Sequence, residues 1–371
     1  MQTSTWSSTG SPRYLVGEVL HSKFSFGDYQ KTEWHCPIDI VTSIKHSAKA
    51  FQILDVKDRR SDSQRIIKVL SRSLAKDSAI AADIYWLRHV RTIDEQHSFL
   101  EEEFRDMNHH YLVFHPPKNT LRDVLDSPFI SPLPRRHVQE IGLQLINTVH
   151  SLHKEYIYDL DLCPENIEIL STATNTEYEY TRPNFFQSRA GLPNLFVMQE
   201  LMINSRSYFN VRKLNWRQDA MRGSDQYRSP EIVFGWKYKY RSDCFAIGCI
   251  IWEMLTGIPL FIACEEGPRY QLDKAYLFED VLGPYPESFT EKLKRQHSHY
   301  FPSPHSNHLI PSGYVSETVQ NYLSVSRRPE DILVEDEEAL DVVMSLTRLN
   351  AKQRPTARDI LDYKFFKRRS F

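Results

Sequence analysis

The sequence predicts an α+β protein with two lobes, a small β-rich lobe followed by a larger helical lobe. Short strand-like apolar runs precede Pro116 and Pro117, whereas helical apolar patterns follow them. The segment 137–153 carries apolar residues near a 3.6-residue period, and 243–255 is apolar on every side, as in a buried helix. Hydrophobic residues make up 41% and charged residues 25% of the chain, which excludes wholesale disorder.

The N-terminal lobe is predicted over 14–115, after a Ser/Thr-rich flexible tail at 1–13. Its apolar runs predict strands at 14–16, 38–41, 51–54 and 111–114 and helices at 63–74 and 79–90. Pro116 and Pro117 end the last strand, because proline lacks the N–H that a sheet needs.

The C-terminal lobe is predicted over 116–371, with insertions at 171–207 and 262–335. Its helices are predicted at 137–153, 243–255, 340–349 and 356–366.

Charge and cysteine content exclude several classes of protein. The net charge of −2 gives no global attraction to nucleic acid or anionic lipid. Five cysteines without a C-x-x-C pair predict neither a disulfide framework nor a zinc ribbon, and no metal is expected. The longest apolar run, 244–255, is roughly half of the ~20 residues that a membrane span needs. We therefore expect an intracellular protein, cytoplasmic or nuclear, without a membrane partner.

Three motifs occur in a fixed order along the C-terminal lobe. Asp-Leu-Cys-Pro-Glu-Asn at 161–166 resembles the H-R-D-L-K-P-E-N catalytic loop of protein kinases. Gln-Tyr-Arg-Ser-Pro-Glu at 226–231 resembles the end of a kinase activation segment, and Arg354 follows near the end of the lobe. The resemblance implies a two-lobed protein-kinase-like fold, with Glu231 and Arg354 as a buried ion pair and Asp243 as a further structural residue. Within kinases, 226–231 and Val-Gly-Glu-Val-Leu-His at 16–21 are most similar to fungal SR-protein kinases.

The phosphate-binding and metal-binding parts of the kinase pattern depart from it. Counting back from the hinge places the glycine-rich loop at 31–38, which has no glycine, and the strand lysine at Gln52. The helix partner of that lysine falls within 64–67, where there is no carboxylate. The metal-binding D-F-G maps to Lys213-Leu214-Asn215, and Cys163 replaces the catalytic-loop lysine. These departures predict a pseudokinase that has lost phosphoryl transfer and uses no cofactor.

The groups that remain predict an acidic cleft formed by Asp159, Asp161, Glu165 and Asn166. Such a cleft favours a cationic small molecule, with Asp161 as general base and Gln52, Cys163 and Lys213 as substrate contacts. Alternatively, the Lys213 ammonium occupies the magnesium position and pairs with Asp161. Both interpretations are open from the sequence.

Basic and aromatic residues alternate between 206 and 228, as they do in proteins that bind looped RNA. The candidate RNA contacts are Arg206, Arg212, Trp216, Arg217 and Arg222. Local pairing of these residues within an activation segment is the competing interpretation.

These observations favour a repurposed transferase that acts on an arginine-type substrate, such as an arginyl-tRNA-dependent cyclodipeptide synthase of the kind found in fungi. One alternative is a pseudokinase scaffold that binds a protein partner through 171–207. The other is a residual Ser/Thr kinase related to the SR-protein kinases.

Overall fold

The computed structural model describes most of the chain. The described residues are 14–16, 19–20, 39–47, 51–58, 62–76, 81, 84–85, 100–105, 108–114, 120–128, 130–154, 156, 158, 161–169, 203–205, 224–237, 239–306, 308–310, 312–326 and 328–367. The chain divides into two compact units, 1–117 and 118–371.

The first unit is built on a six-stranded antiparallel sheet in the order β1-β2-β3-β4-β6-β5. Its strands are β1 (Val19–Leu20), β2 (Asp39–Ser47), β3 (Phe51–Asp58), β4 (Gln64–Ser71), β5 (Leu100–Arg105) and β6 (His109–Phe114). A short helix, α1 (Arg72–Ala75), follows β4 and is capped by the Ser71 hydroxyl, which accepts the Leu74 N–H.

One face of this sheet carries the core of the unit. Its buried members are Val41, Leu54, Val56, Ile67, Val69, Tyr111 and Val113. Residues on one face of a strand recur every second position, which is the spacing that Leu54 with Val56 and Ile67 with Val69 show. Burial of their β-branched and aromatic side chains holds the register of the central strands.

The predicted helix at 63–74 is wrong, because most of this segment is strand β4. Lys68 of β4 lies opposite Ile53 of β3 and Leu112 of β6, so the strand is paired on both sides. The apolar pattern of this segment, with Ile66, Ile67, Val69 and Leu70, fits a helix and a buried strand equally well. Only its pairing with neighbouring strands distinguishes the two. The predicted strand at 14–16 is also absent, since the described chain there forms no strand.

The second unit is mainly helical. Its helices are α2 (Leu121–Leu125), α3 (Arg135–Lys154), α4 (Pro230–Val233), α5 (Arg241–Thr256), α6 (Tyr270–Leu282), α7 (Glu287–His297), α8 (Glu317–Leu323), α9 (Pro329–Ile332), α10 (Glu337–Leu346) and α11 (Ala357–Ile360). A two-stranded sheet pairs β7 (Ile167–Ile169) with β8 (Ile203–Ser205). None of the helices in the described part of the chain combines the length and the apolarity that a membrane crossing requires.

Helix α5 lies at the centre of the second unit, with almost every residue buried. It packs against α3 and α10, and Gly248 lets α10 approach closely. The helix ends at Gly257, whose φ of +75° is the left-handed conformation that glycine adopts at helix ends without strain. This central helix positions the segments that carry the motif residues.

Candidate active site

The catalytic-loop motif forms a rigid turn between α3 and β7. Pro164–Asn166 is a 3-10 turn with proline in its first position, where no N–H is needed. The Asn166 side-chain amide donates to the Asp161 carbonyl oxygen at 2.9 Å, which closes the loop on itself. Asp161 has a φ of +47°, a left-handed conformation that Asp tolerates better than most residues and that is common at functional sites.

The Asp161 carboxylate faces the segment that begins at Ser224. Its Oδ1 accepts the Ser224 N–H at 3.0 Å. A carboxylate fixed in this way keeps its second oxygen oriented and can accept a proton from a nearby hydroxyl. The structure therefore joins two of the sequence motifs, the loop at 161–166 and the segment that leads to Glu231.

Cys163 does not serve as a substrate contact, because its side chain is only 3% exposed. Burial, together with the negative charges of Asp161 and Glu165, raises the pKa of the Cys163 thiol well above its usual range. A thiol that stays protonated is neither a nucleophile nor a charged ligand contact. Cys163 is a small filler in the interior.

Glu165 of the same loop is already paired with a cation of this chain. Arg122 of α2 donates from Nε to Glu165 Oε1 at 2.9 Å. The predicted acidic cleft is thus partly neutralised, because one of its four members is bound to an arginine. Arg122 belongs to no motif in the sequence. Its position two residues after Thr120, which caps the short helix α2, is the one sequence signal that points to it.

The predicted ion pair between Glu231 and Arg354 is confirmed. Arg354 Nη1 lies 2.5 Å from Glu231 Oε1, and Nη2 lies 2.7 Å from Oε2, a bidentate arrangement. The remaining guanidinium hydrogens go to backbone carbonyls, including those of Arg241 and Arg348. Asp243 of α5 binds the His153 ring at 2.9 Å, in keeping with the structural role expected of it.

A second buried network holds the segment that follows Ser224. Lys274, only 1% exposed, lies 2.7 Å from Asp225 Oδ2. The other oxygen of Asp225 accepts the Tyr270 hydroxyl at 2.6 Å, and the Cys264 N–H donates to Oδ2 at 2.7 Å. Because the Asp225 carboxylate is shared by three donors, the turn at 225–227 is anchored to α6 and to the loop before it.

Several predicted site residues lie outside the described part of the chain. They are Asp159, Arg206, Arg212, Lys213, Trp216, Arg217 and Arg222, together with most of the insertion at 171–207. The roles assigned to them stay predictions. Within the described residues, no group of three or more His, Cys, Asp and Glu side chains is placed to hold a metal ion.

Comparisons with known proteins agree with this arrangement. The family model "Protein kinase domain" matches residues 204–366. Serine/threonine-protein kinase AFC2 of Arabidopsis thaliana is 27% identical over 86% of this chain and 74% of its own length. Dual specificity protein kinase CLK1 of Homo sapiens is 22% identical over 85% of this chain and 63% of its own length. The crystal structure of the PF14_0431 kinase domain superposes with a TM-score of 0.71 at 17% identity, over 92% of this chain and 98% of that chain.

The chain has the protein kinase fold. This confirms the predicted fold class, an antiparallel sheet in the N-terminal lobe and a helical C-terminal lobe. The relatives named here are serine/threonine and dual-specificity kinases, so the chain has homology to kinases of that type.

The prediction of an arginine-type transferase is wrong. Arginyl-tRNA-dependent cyclodipeptide synthesis was inferred from an acidic cleft without its cations, but the relatives that match over 85% and 86% of the chain are protein kinases. The structure also weakens the physical basis for it, because Glu165, one of the four residues of the predicted cleft, is bound to Arg122. An arginine or tRNA substrate therefore has no support.

Strand β4 offers a different candidate for the strand lysine. Kinases carry this lysine at the end of V-A-I-K on a strand of the N-terminal sheet. Strand β4 holds Arg65-Ile66-Ile67-Lys68, so Lys68 resembles the signature lysine more closely than Gln52 of β3 does. Lys68 is half-buried, with its ammonium 5.4 Å from the centre of the Phe51 ring.

Gln52 lies on β3, the strand before the one that carries Lys68, and makes a different contact. It is 3% exposed, and its side-chain oxygen accepts the Tyr14 N–H at 2.7 Å. It therefore binds backbone rather than substrate. The glycine-rich loop predicted at 31–38 lies outside the described residues. If Lys68 of β4 is the strand lysine, the hairpin that corresponds to the glycine-rich loop is the one that joins β2 to β3.

Proposed function

We propose that this chain is a kinase-fold protein, related to the CLK and AFC kinases, in which magnesium-dependent phosphoryl transfer is lost. One observation carries the proposal. The chain has no Asp or Glu from Leu201 to Gln218, the stretch that holds β8 and most of the link to Ser224. Kinases require a carboxylate in D-F-G to hold the magnesium ion that bridges the phosphates.

The residues at the catalytic loop do not fit a magnesium site either. Magnesium prefers oxygen ligands and is held in kinases by the D-F-G Asp and the loop Asn. Asn166 retains its amide, but without the D-F-G carboxylate it supplies at most one side-chain oxygen. Asp219 is the only acidic residue between Arg206 and Gly223, and it lies five residues before Ser224. We therefore derive no step of a reaction through a bound magnesium ion.

The part of the sequence that corresponds to the phosphate-binding turn also departs from the kinase pattern. The β2–β3 hairpin reads Ser47-Ala48-Lys49-Ala50-Phe51 and has no glycine. Glycine lets the backbone of such a turn approach phosphate closely, and this sequence offers none between the two strands. The chain has no glycine at all between Gly27 and Gly142. This composition supports weak binding of the phosphates of ATP.

A second candidate function is residual Ser/Thr phosphoryl transfer. It is favoured by Lys68, which matches the signature lysine, and by the Asp161 carboxylate, which is ordered by Ser224 and lies in a loop closed by Asn166. The two candidates differ in one measurable property, the transfer of phosphate from ATP to a protein hydroxyl.

The test is incorporation of labelled phosphate from ATP into a general kinase substrate and into the protein itself, with magnesium or manganese present. We expect no incorporation above that of Asp161→Asn. Lys68→Met serves as a second control in the other unit. Incorporation that both substitutions abolish would refute the proposal and establish the second candidate.

A further inference from the structure

Tyr14 is held at both of its ends on the six-stranded sheet of the first unit. Its N–H donates to the side-chain oxygen of Gln52 at 2.7 Å, and its carbonyl oxygen accepts the Gln52 side-chain amide at 3.4 Å. At the other end, the Tyr14 hydroxyl lies 2.7 Å from the hydroxyl of Tyr111. Gln52 belongs to β3 and Tyr111 to β6, so Tyr14 spans β4, the strand between them.

The residues that receive Tyr14 form one row across the sheet. Gln52 of β3 lies directly opposite Val69 of β4, which lies opposite Tyr111 of β6. Phe104 of β5 continues the row opposite Tyr111 and stacks on it, with ring centres 4.6 Å apart. Side chains directly opposite each other on paired strands share a face of the sheet. Gln52, Val69 and Tyr111 therefore form a tyrosine slot, with an amide at one end, an apolar floor and a phenol at the other end.

The tyrosine slot is buried and uncharged. Gln52 is 3% exposed, Val69 0% and Tyr111 4%, and Tyr14 packs against the core cluster to which Val69 and Tyr111 belong. A buried amide or phenol requires hydrogen-bond partners, because burial without them is costly. Tyr14 provides partners for both ends of the slot.

The segment 14–16 is a strap that is anchored through Tyr14. Leu15 and Val16 are 64% and 63% exposed. Segments with few buried contacts open locally at a lower free energy than the core does. Lys68 neighbours Val69 on β4, and successive residues of a strand point to opposite faces, so the slot and the lysine lie on different faces of the sheet.

We propose that the tyrosine slot accepts tyrosine but not phosphotyrosine, and that phosphorylation of Tyr14 opens the strap. A phosphoryl group brings a charge of about −1.5 to −2 at neutral pH. The Tyr14 oxygen lies at hydrogen-bond distance from a hydroxyl that is itself buried, and the slot contains no cation. Burial of a charge that no cation compensates is costly.

The modification needs ATP and a separate tyrosine-directed protein kinase. A new P–O bond forms at the Tyr14 oxygen while the bond between the β- and γ-phosphates of ATP breaks, and ADP and the phenolic proton are released. Because the kinase is another protein, the proposal is independent of whether this chain has lost phosphoryl transfer.

The experiment is hydrogen exchange of the Tyr14 amide, followed by NMR in the isotope-labelled full-length chain. Phosphotyrosine is placed at position 14 during synthesis, and Tyr111→Phe removes the hydroxyl partner alone. We expect Tyr111→Phe to speed exchange roughly 2- to 10-fold, as the loss of one hydrogen bond implies. The phosphorylated chain should exchange faster than that variant does. Thr42→Val, which removes an exposed bond to the Asp55 carbonyl in the same sheet, should leave exchange at Tyr14 unchanged.

The Val69 amide in the same samples reports opening of the sheet itself. Protection of the Tyr14 amide that is equal in the phosphorylated and unmodified chains would overturn the proposal. Acceleration of Tyr14 and Val69 by the same factor would also overturn it, because the whole sheet and not the strap would then open. If Tyr111→Phe does not fold, Tyr14→Phe removes the same hydroxyl contact, and unchanged exchange at residue 14 would contradict a strap anchored by the phenol.

Discussion

Arg354 illustrates at the scale of one residue why some functional-motif residues can be predicted from sequence. Its side chain is fully buried against Glu231, and the two residues are 123 positions apart in the chain. The resemblance to protein kinases implied the pair, because kinases join the Glu that ends the activation segment to an Arg near the end of the lobe. Arg122 could not be predicted, since its partners Glu165, Tyr227 and Glu253 belong to no shared motif.

Loss of one member of the Glu231–Arg354 pair should destabilise the second unit strongly. Arg354→Leu leaves the Glu231 carboxylate buried without a cation, which typically costs about 3–5 kcal/mol. Urea unfolding followed by circular dichroism measures this cost. Arg295→Leu is the control, because its pair with Glu291 is exposed and is worth about 0–1 kcal/mol. Equal losses of stability in the two variants would contradict the role of the pair.

At the scale of elements, apolar pattern and tertiary pairing carry different information. Helix α5 was predictable because a run that is apolar on every side has one common explanation, a buried helix. Strand β4 was not, because its four apolar residues also fit one face of a helix and only its pairing with β3 and β6 distinguishes the two. The close contact between α5 and α10 can be tested by substitution at Gly248.

Gly248→Ala should destabilise the protein although alanine favours a helix more than glycine does. A Cβ at this position would lie 2.8 Å from Leu346 Cβ and 2.8 Å from Thr347 Cγ2, so α10 must shift. Overpacking of this kind costs typically about 1–3 kcal/mol, measured as the free energy of unfolding in urea. Gly267→Ala is the matched control, since a Cβ there meets nothing within 4 Å. A Gly248→Ala protein as stable as that control would show that the two helices are not in close contact.

At the scale of the whole molecule, the fold was predictable and the alignment of the first unit was not. The motifs at 161–166, 226–231 and 354 predicted a kinase-like chain because their order and spacing are specific. Counting back from the hinge with 63–74 as a helix places the lysine position at Gln52 of β3 rather than at Lys68 of β4. The sheet order shows why the count changes, since β4 is a strand between β3 and β6.

The departures from the kinase pattern are therefore fewer than the sequence suggested, and they concern the phosphates and the metal. Lys68 and Asp161 match kinase positions, whereas glycine in the β2–β3 hairpin and a carboxylate between 201 and 218 are missing. Phosphoryl transfer depends on positioning and on charge stabilisation by the metal, so the proposal of lost activity rests on these two departures.

Calorimetric titration of the full chain with ATP, in the presence and absence of magnesium, tests the central claim most directly. The account predicts that magnesium does not strengthen nucleotide binding, because the sequence from 201 to 218 holds no carboxylate for the bridging ion. Asp219→Asn should therefore bind ATP as the wild-type chain does. Magnesium-dependent binding of ATP, and above all its loss in Asp219→Asn, would contradict the account.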